Sequence, residues 1–212
     1  MKGIGIPATT IERLPLYYRS LQKLDKQDVE VISSKKLGER LGIPSTQVRK
    51  DLSYYGEFGR RGVGYEVSVL IKQLEKILGL NTNWDLALVG AGNLGHALLD
   101  YHGFRKLGLN VNYVFDQDQE KIGEDFNGVE IKDVEKMEEI IKEEEIKIAI
   151  IAVPAEAAQE VADRLVAAGV KAIWNFAPVY LQLPEDVKLK NEDLSIGLVG
   201  LTYHLSDYWS DK

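Results

Sequence analysis

The sequence predicts a two-domain α/β chain, in which a small helical module with a β-hairpin precedes a half that alternates strands and helices. Three observations predict it. Charge is segregated, with 14 Lys and Arg against 9 Asp and Glu in residues 1–83, and 12 against 24 in residues 84–212. Short amphipathic segments in the first half are joined by Gly42-Ile43-Pro44 and followed by a Gly- and Arg-rich run. In the second half, an apolar run leads straight into Gly90-Ala91-Gly92-Asn93-Leu94-Gly95.

Composition sets the outer bounds. A chain of 212 residues that is 45% hydrophobic and 28% charged is long enough for one or two globular domains with a proper core. No apolar run is long enough to cross a bilayer, and Met1 to Thr10 lacks the basic-then-apolar pattern of a signal peptide, so a cytoplasmic location without membrane contact is expected. The absence of cysteine excludes disulfides, thiolate chemistry and cysteine-held metals, so any redox role must work through a bound cofactor. His96, His102 and His204 are too scattered for a histidine metal cluster, and no metal is expected. The net charge of −7 averages +5 in the first segment and −12 in the second, the asymmetry of a polyanion-binding module joined to an acidic one.

Thr9 to Leu24 reads as the first helix. Thr9 and Glu12 fit a capping box, and Ile11, Leu14, Tyr18 and Leu21 recur at helical spacing. Pro15 conflicts with a continuous helix, leaving open a start nearer Arg13 or a kink. A second helix follows Ser33-Ser34 with Leu37 and Leu41 inward. Ser45 then caps a third that runs to about Tyr55 and stops at Gly56. Two short helices about a glycine-containing turn make a helix-turn-helix. On the third helix Val48, Leu52 and Tyr55 fall within about 60° of one another and form the inward stripe. Thr46, Gln47, Arg49, Lys50, Ser53 and Tyr54 face away, with Ser45 at the start. These residue types reach base edges and phosphates from a helix in a major groove.

Phe58 to Val67 reads as a hairpin with Arg60 and Arg61 near its tip, which turns the helix-turn-helix into a winged helix whose arginines suit a minor groove. Double-stranded DNA is therefore the expected partner of this half. Leu70 to Leu80 continues as an amphipathic helix, and Asn81-Thr82-Asn83 marks the domain boundary. The domains expected are 1–80, 81–198 and a C-terminal helix over 199–212.

Asp85 to Val89 has the apolar character of a buried parallel strand. In the GxGxxG turn after it, Gly90 permits the tight turn, Gly92 admits a pyrophosphate to the backbone of Ala91, Asn93 and Leu94, and Gly95 lets helix and strand pack closely. A second strand, Val111 to Phe115, ends at Asp116, 21 residues past Gly95. An acid at that place accepts hydrogen bonds from the adenosine ribose and repels a 2′-phosphate, which favours NADH and NAD+ over their phosphorylated counterparts. A turn-starting Asp116 is the plainer alternative. Ile146 to Val153 and Val170 to Trp174 are further strands, separated by a helix over Ala155 to Ala168. Ligands in such Rossmann sheets lie beyond the carboxyl ends of strands, which makes Val153, Pro154, Asn175 and Phe176 candidates for the nicotinamide end. The tail, Val199 to Trp209, holds Leu201, Tyr203, Leu205, Tyr208 and Trp209, and so many large apolar side chains need a surface to cover. A partner subunit is the favoured surface.

In the first half Arg13-Leu14-Pro15 with Tyr17-Tyr18-Arg19, Gln47 to Tyr54 and Gly59 to Tyr65 form long motifs, and in the second half Val89 to Leu94, Tyr101 to Phe104, Ala149 to Ala158 and Asn175 to Val179 do the same. In these residues, over nearly its whole length, the chain resembles the Rex family of redox-sensing transcriptional repressors. The resemblance implies a homodimer on an A·T-rich palindromic operator, released when NADH binds and left DNA-competent by NAD+, with target genes in fermentation, respiration and NADH reoxidation. It implies a C-terminal helix swapped beside the partner's winged helix. It also implies a switch in which Arg19, Tyr101 near the cofactor, and Asp193 exchange hydrogen bonds.

Two rivals remain from the residues. An NAD-dependent dehydrogenase would need a general base and usually an arginine clamp, yet after Asp116 the chain offers only Arg164, on a helix, and His204, in the tail. A regulator sensing coenzyme A would place a 3′-phosphate against Asp116.

Overall fold

A computed structural model describes residues 5–205. The chain divides between Thr82 and Asn83 into two compact units. Tyr208 and Trp209 of the apolar tail lie outside the described residues.

In the first unit, α1 (Ala8–Asp25) begins ahead of the expected cap. Pro7 occupies the N-cap, and its carbonyl accepts from the N–H groups of Thr10 and Ile11 at 2.9 and 3.3 Å. Thr9 is already helical, so the Thr9–Glu12 capping box does not form. The helix runs through Pro15, which sits on the exposed side. The carbonyl it frees belongs to Ile11, itself 51% exposed, so water can satisfy it. The inward stripe is Leu14, Tyr17, Tyr18, Leu21 and Leu24, with Ile11 excluded.

Then α2 (Ser34–Leu41) starts under a Ser33 cap, whose hydroxyl accepts from the Lys36 N–H at 3.2 Å. For α3 (Ser45–Ser53) the cap is Pro44, not Ser45. The Pro44 carbonyl takes the N–H groups of Gln47 and Val48, which makes Ser45 the first helical residue. Strands β1 (Val31–Ile32), β2 (Gly59–Arg60) and β3 (Gly64–Glu66) form an antiparallel sheet in the order β1-β3-β2, pairing Val31 with Glu66 and Gly59 with Tyr65. The β2–β3 hairpin is the wing. Its second strand runs directly into α4 (Val67–Leu78), three residues ahead of the expected Leu70, and α4 packs on α1 through buried Leu70 and Leu74.

The second unit is a doubly wound sheet. Its elements are β4 (Trp84–Val89), α5 (Asn93–Leu99), β5 (Leu109–Asp116), β6 (Asp125–Phe126), β7 (Val129–Asp133), α6 (Met137–Glu143), β8 (Ile148–Ile151), α7 (Ala155–Ala168), β9 (Ala172–Asn175), β10 (Lys188–Asn191) and α8 (Leu194–Tyr203). The strand order is β10-β9-β8-β4-β5-β7-β6, parallel except for the β6–β7 hairpin. Starting from β4 the chain winds one way through β5 and β7 and then the other through β8, β9 and β10, so the switch point lies between β4 and β8. Both faces are covered. Ala87 and Val89 join the core under α6 and α7, while Leu86 and Leu88 join that under α5, which is why β4 reads as continuously apolar.

The last helix begins at Leu194, inside the stretch assigned by sequence to the Rossmann domain and five residues before the expected 199. Asp193 caps it, with Oδ1 accepting from the Ser195 N–H at 2.8 Å. Leu194, Ile196, Leu198, Val199, Leu201 and Tyr203 are each at least 59% exposed.

Candidate functional site

Two sites emerge, one in each unit. In the first, the groove between α3 and the wing is lined by Ser34, Arg49, Ser53, Arg60, Arg61 and Tyr65. It therefore brings together the arginines expected from the helix and from the hairpin. Arg49 donates to the Ser34 hydroxyl at 2.9 Å, which holds its guanidinium at the groove mouth. Thr46, Lys50, Ser53 and Tyr54 are exposed on the same side of α3, with Ser45 half-buried at its start. The Ser53 hydroxyl donates back to the Lys50 carbonyl at 2.8 Å and keeps lone pairs for an outside donor.

Gln47 departs from this group. Its amide nitrogen donates to Asp51 Oδ1 at 2.7 Å, turning the side chain towards α1 and away from the exposed face. Asp51 itself is fully buried, although it stands in the middle of a basic helix. It accepts from Thr10 (3.0 Å), from Nε and a terminal nitrogen of Arg13 (2.6 and 2.8 Å) and from Tyr17 (2.7 Å). Burial alone would raise the Asp51 carboxyl, but hydrogen bonds from Arg13, Tyr17, Gln47 and Thr10 outweigh it and hold it well below the usual carboxylate range. Burial and the same carboxylate push the Tyr17 hydroxyl up. Sequence reading missed this group because its members lie 34 to 41 residues apart, Gln47 excepted.

In the second unit the GxGxxG turn stands at the carboxyl end of β4, and each glycine has a distinct reason. Gly90 has φ +101°, and a Cβ on it would come within 2.5 Å of the Ala152 carbonyl oxygen. A Cβ on Gly95 would collide with the Gly90 carbonyl, so strand and helix approach as closely as the motif requires. Gly92 is different, because a Cβ there would meet open space. That room over the backbone lies beside the start of α5. Asn93 is exposed, Leu94 half-buried, and Ala91 buried.

Asp116 closes the turn from β5. Its Oδ2 accepts from the Ala91 N–H at 2.7 Å and its Oδ1 from the Asp118 N–H at 2.9 Å, so it does brace a turn. Two carboxylate oxygens offer about four lone-pair positions, and acceptor capacity remains for a ribose hydroxyl. Lys121, which no sequence motif singles out, lies 3.6 Å from Asp116 and 3.4 Å from Asp118. Burial opposes its charge, but the two carboxylates prevail and hold its ammonium above the usual value.

At the other side of the switch point, Val153 is half-buried and Pro154 caps α7. Asn175 proves unavailable as a ligand-contacting side chain. It is fully buried, and its amide nitrogen is shared among the carbonyls of Ala177 and Val179 and the Asn191 side chain, while its oxygen accepts from the Ala177 N–H. It shapes the loop after β9 from behind. Phe176 stacks at a tilt on Trp174 (4.5 Å), Trp174 meets Phe104 edge-on (5.9 Å), and Phe104 meets Tyr101 (4.9 Å). An aromatic chain thus links the end of β9 to the end of α5. Tyr101 is 54% exposed. Arg19 is exposed on α1 of the first unit, and exposed Asp193 caps α8 of the second, its carboxyl lowered by the Ser195 hydroxyl and N–H.

Comparison with known proteins supports both halves. Residues 5–53 match the family described as putative DNA-binding protein N-terminus, and residues 81–179 match the CoA binding domain family. A redox-sensing transcriptional repressor Rex of Desulforamulus reducens is 48% identical over 206 residues, spanning 97% of this chain and 98% of that protein. The corresponding Rex of Carboxydothermus hydrogenoformans is 49% identical over 205 residues, 97% of this chain and 99% of its own length. This chain belongs to the Rex family. Among solved structures of that family, a Rex-family repressor called RSP, crystallised with β-NAD+ and operator DNA, superposes with a TM-score of 0.92 at 43% identity over 97% of this chain and 95% of that one. RSP with β-NADH superposes at 0.88, with 42% identity over 98% of this chain and 97% of that one. Family membership fits the winged helix and the Rossmann sheet alike. Among the described residues no helix is long and apolar enough to cross a membrane.

Proposed function

We propose that this chain is a redox-sensing transcriptional repressor that binds an A·T-rich palindromic operator as a cytoplasmic homodimer and lets go when NADH binds. The observation that carries this reading is the likeness, over nearly the whole chain, to a repressor that holds β-NAD+ and operator DNA in one crystal. The chain binds dinucleotide without turning it over, and the Rex relatives described above are repressors.

The DNA contact is divided between the two parts of the winged helix. Ser45, Thr46, Arg49, Lys50, Ser53 and Tyr54 enter a major groove, while Arg60 and Arg61 follow the adjacent minor groove and its phosphates. Gln47 takes part indirectly, by bracing Asp51, which ties α3 to α1. The dinucleotide runs across the carboxyl edge of the sheet. Its pyrophosphate lies over Gly92 and the N–H groups of Asn93 and Leu94, its adenosine ribose meets Asp116, and its nicotinamide lies near Val153, Pro154, Phe176 and Tyr101. The nicotinamide supplies the redox signal, being planar and cationic when oxidised and neutral when reduced, and the protein needs only to bind the two forms unequally. The exposed apolar face of α8 belongs against a second copy of this chain, since six large apolar side chains on one short helix are not left in water. Arg19, Tyr101 and Asp193 are the proposed switch, a cation and a carboxylate from different units with a phenol able to donate to one or accept from the other.

Fluorescence anisotropy of a labelled A·T-rich palindromic duplex, titrated separately with NADH and NAD+ at fixed salt, tests the reading. Release by NADH at concentrations where NAD+ leaves the complex intact is the expected result. Equal indifference to both would leave a DNA-binding protein whose ligand is something else.

A further inference from the structure

Asp51 sits where a recognition helix has no evident use for a buried acid. It is fully buried, it stands on α3 between exposed Lys50 and buried Leu52, and it carries five hydrogen bonds from four side chains. Three of those side chains, Thr10, Arg13 and Tyr17, lie on successive turns of α1. The fourth, Gln47, comes from one turn back on α3 itself. Every one of the five is a donor, and a carboxylate, which only accepts, is the group that satisfies them together. Arg13 supplies the opposite charge in a forked contact, which fixes direction as well as distance.

Tyr18, the next residue along α1 from Tyr17, is tied elsewhere. It donates to Glu75 on α4 at 3.0 Å and accepts from Gln22 at 2.8 Å, and burial together with the Glu75 contact pushes its hydroxyl up to about 12. From α4 the chain passes through Gly79 to the boundary between the two units. α1 is thus joined by side-chain hydrogen bonds both to the helix that leads into the dinucleotide-binding unit and to the helix that faces DNA.

We propose that Asp51 is a positioning residue that transmits displacement of α1 to the recognition helix, so that α3 cannot keep its DNA contacts when ligand binding in the second unit moves α1. The idea rests on the reading under Proposed function and adds its mechanical link. Packing alone would let apolar surfaces slide by a fraction of a side chain. A charged fork with three further donors tolerates little sliding, because each lost contact leaves a buried polar group unpaired. Weakening the joint should therefore uncouple α3 from α1, and through α1 from α4.

The test measures operator affinity of the full chain by anisotropy without NADH and at saturating NADH, and takes the ratio of the two. Tyr17→Phe removes one donor and keeps the ring, so it serves where Asp51→Asn, whose amide nitrogen would face other donors, fails to fold. Lys50→Ala weakens DNA contact without touching the joint. Tyr17→Phe should lower the ratio by roughly three- to tenfold, the scale of one lost hydrogen bond, with NADH affinity of the free protein unchanged. Lys50→Ala should lower both affinities and leave the ratio intact. A ratio unchanged in Tyr17→Phe would overturn the proposal, since a merely structural Asp51 lowers both affinities alike. A wild-type ratio of one would overturn the functional reading itself, and the proposal with it.

Discussion

The backbone N–H of Ala91 donates to Oδ2 of Asp116 across 2.7 Å, which ties the glycine turn after β4 to the carboxyl end of β5. The residue assigned to the ribose thus also sets the position of the turn assigned to the pyrophosphate. Asp116→Asn should disturb both, because an amide nitrogen would face the N–H of either Ala91 or Asp118. NADH affinity should fall about tenfold, roughly the worth of one hydrogen bond to a charged group. Discrimination against NADPH should shrink, since the negative charge opposing its 2′-phosphate is gone. Calorimetric titration with both dinucleotides reads the two effects, and an unchanged preference would remove Asp116 from the ribose site.

Gly92 and Gly95 separate binding from folding. A methyl at Gly92 meets no protein atom, whereas one at Gly95 runs into the Gly90 carbonyl. Gly92→Ala should keep thermal stability within about 0.5 kcal/mol yet lose most NADH affinity, because the methyl would occupy the space proposed for the pyrophosphate. Gly95→Ala should cost about 1–3 kcal/mol by overpacking. Thermal melts with and without NADH distinguish them.

The Asp51 group gives the first unit an acid limit. Its carboxyl is held below the usual range by its donors, so the stabilisation is fully present above the ordinary unfolded value of about 3.9 and is lost as pH falls through the lower folded value. Losing one partner of a buried ion pair costs about 3 kcal/mol or more, so Asp51→Asn should be destabilised by that scale near neutral pH. The wild-type and variant curves should converge as pH drops below about 4. Urea unfolding followed by circular dichroism across pH checks it, and a pH-independent gap would contradict it.

What was legible in the sequence was what short-range pattern encodes. The strand before Gly90, the spacing to Asp116 and the glycine turn between α2 and α3 each fit within a window of some twenty residues, and all three carry a local steric or hydrogen-bonding reason. Asp51 and Asn175 were not legible in the same way. A carboxylate on a basic helix reads as solvated, and an asparagine after a strand reads as a free polar group, until residues distant in sequence turn out to surround them. β10 escaped notice because Lys188-Leu189-Lys190-Asn191 is an edge strand with little apolar character. The β6–β7 hairpin does carry a local signal. Asn127-Gly128, both at positive φ, is the turn pair that a tight hairpin favours.

The exposed face of α8 predicts the assembly. Leu198 is 69% exposed, on a helix without a buried residue among those described. If α8 forms the interface of the proposed homodimer, Leu198→Glu should shift the protein from dimer to monomer by sedimentation velocity at micromolar concentration. Operator affinity should drop by more than about tenfold as the two half-sites are no longer bound together. A wild-type mass in the variant would place the interface elsewhere.

In the proposed function operator and NADH oppose each other through one protein, and thermodynamic reciprocity makes that opposition measurable from both sides. NADH affinity should be measured by calorimetry with free protein and with protein saturated by operator duplex, alongside operator affinity with and without NADH. Operator should weaken NADH binding by the same factor as NADH weakens operator binding, while NAD+ shows a far smaller factor in both directions. NADH binding that is equally tight with and without operator would contradict it.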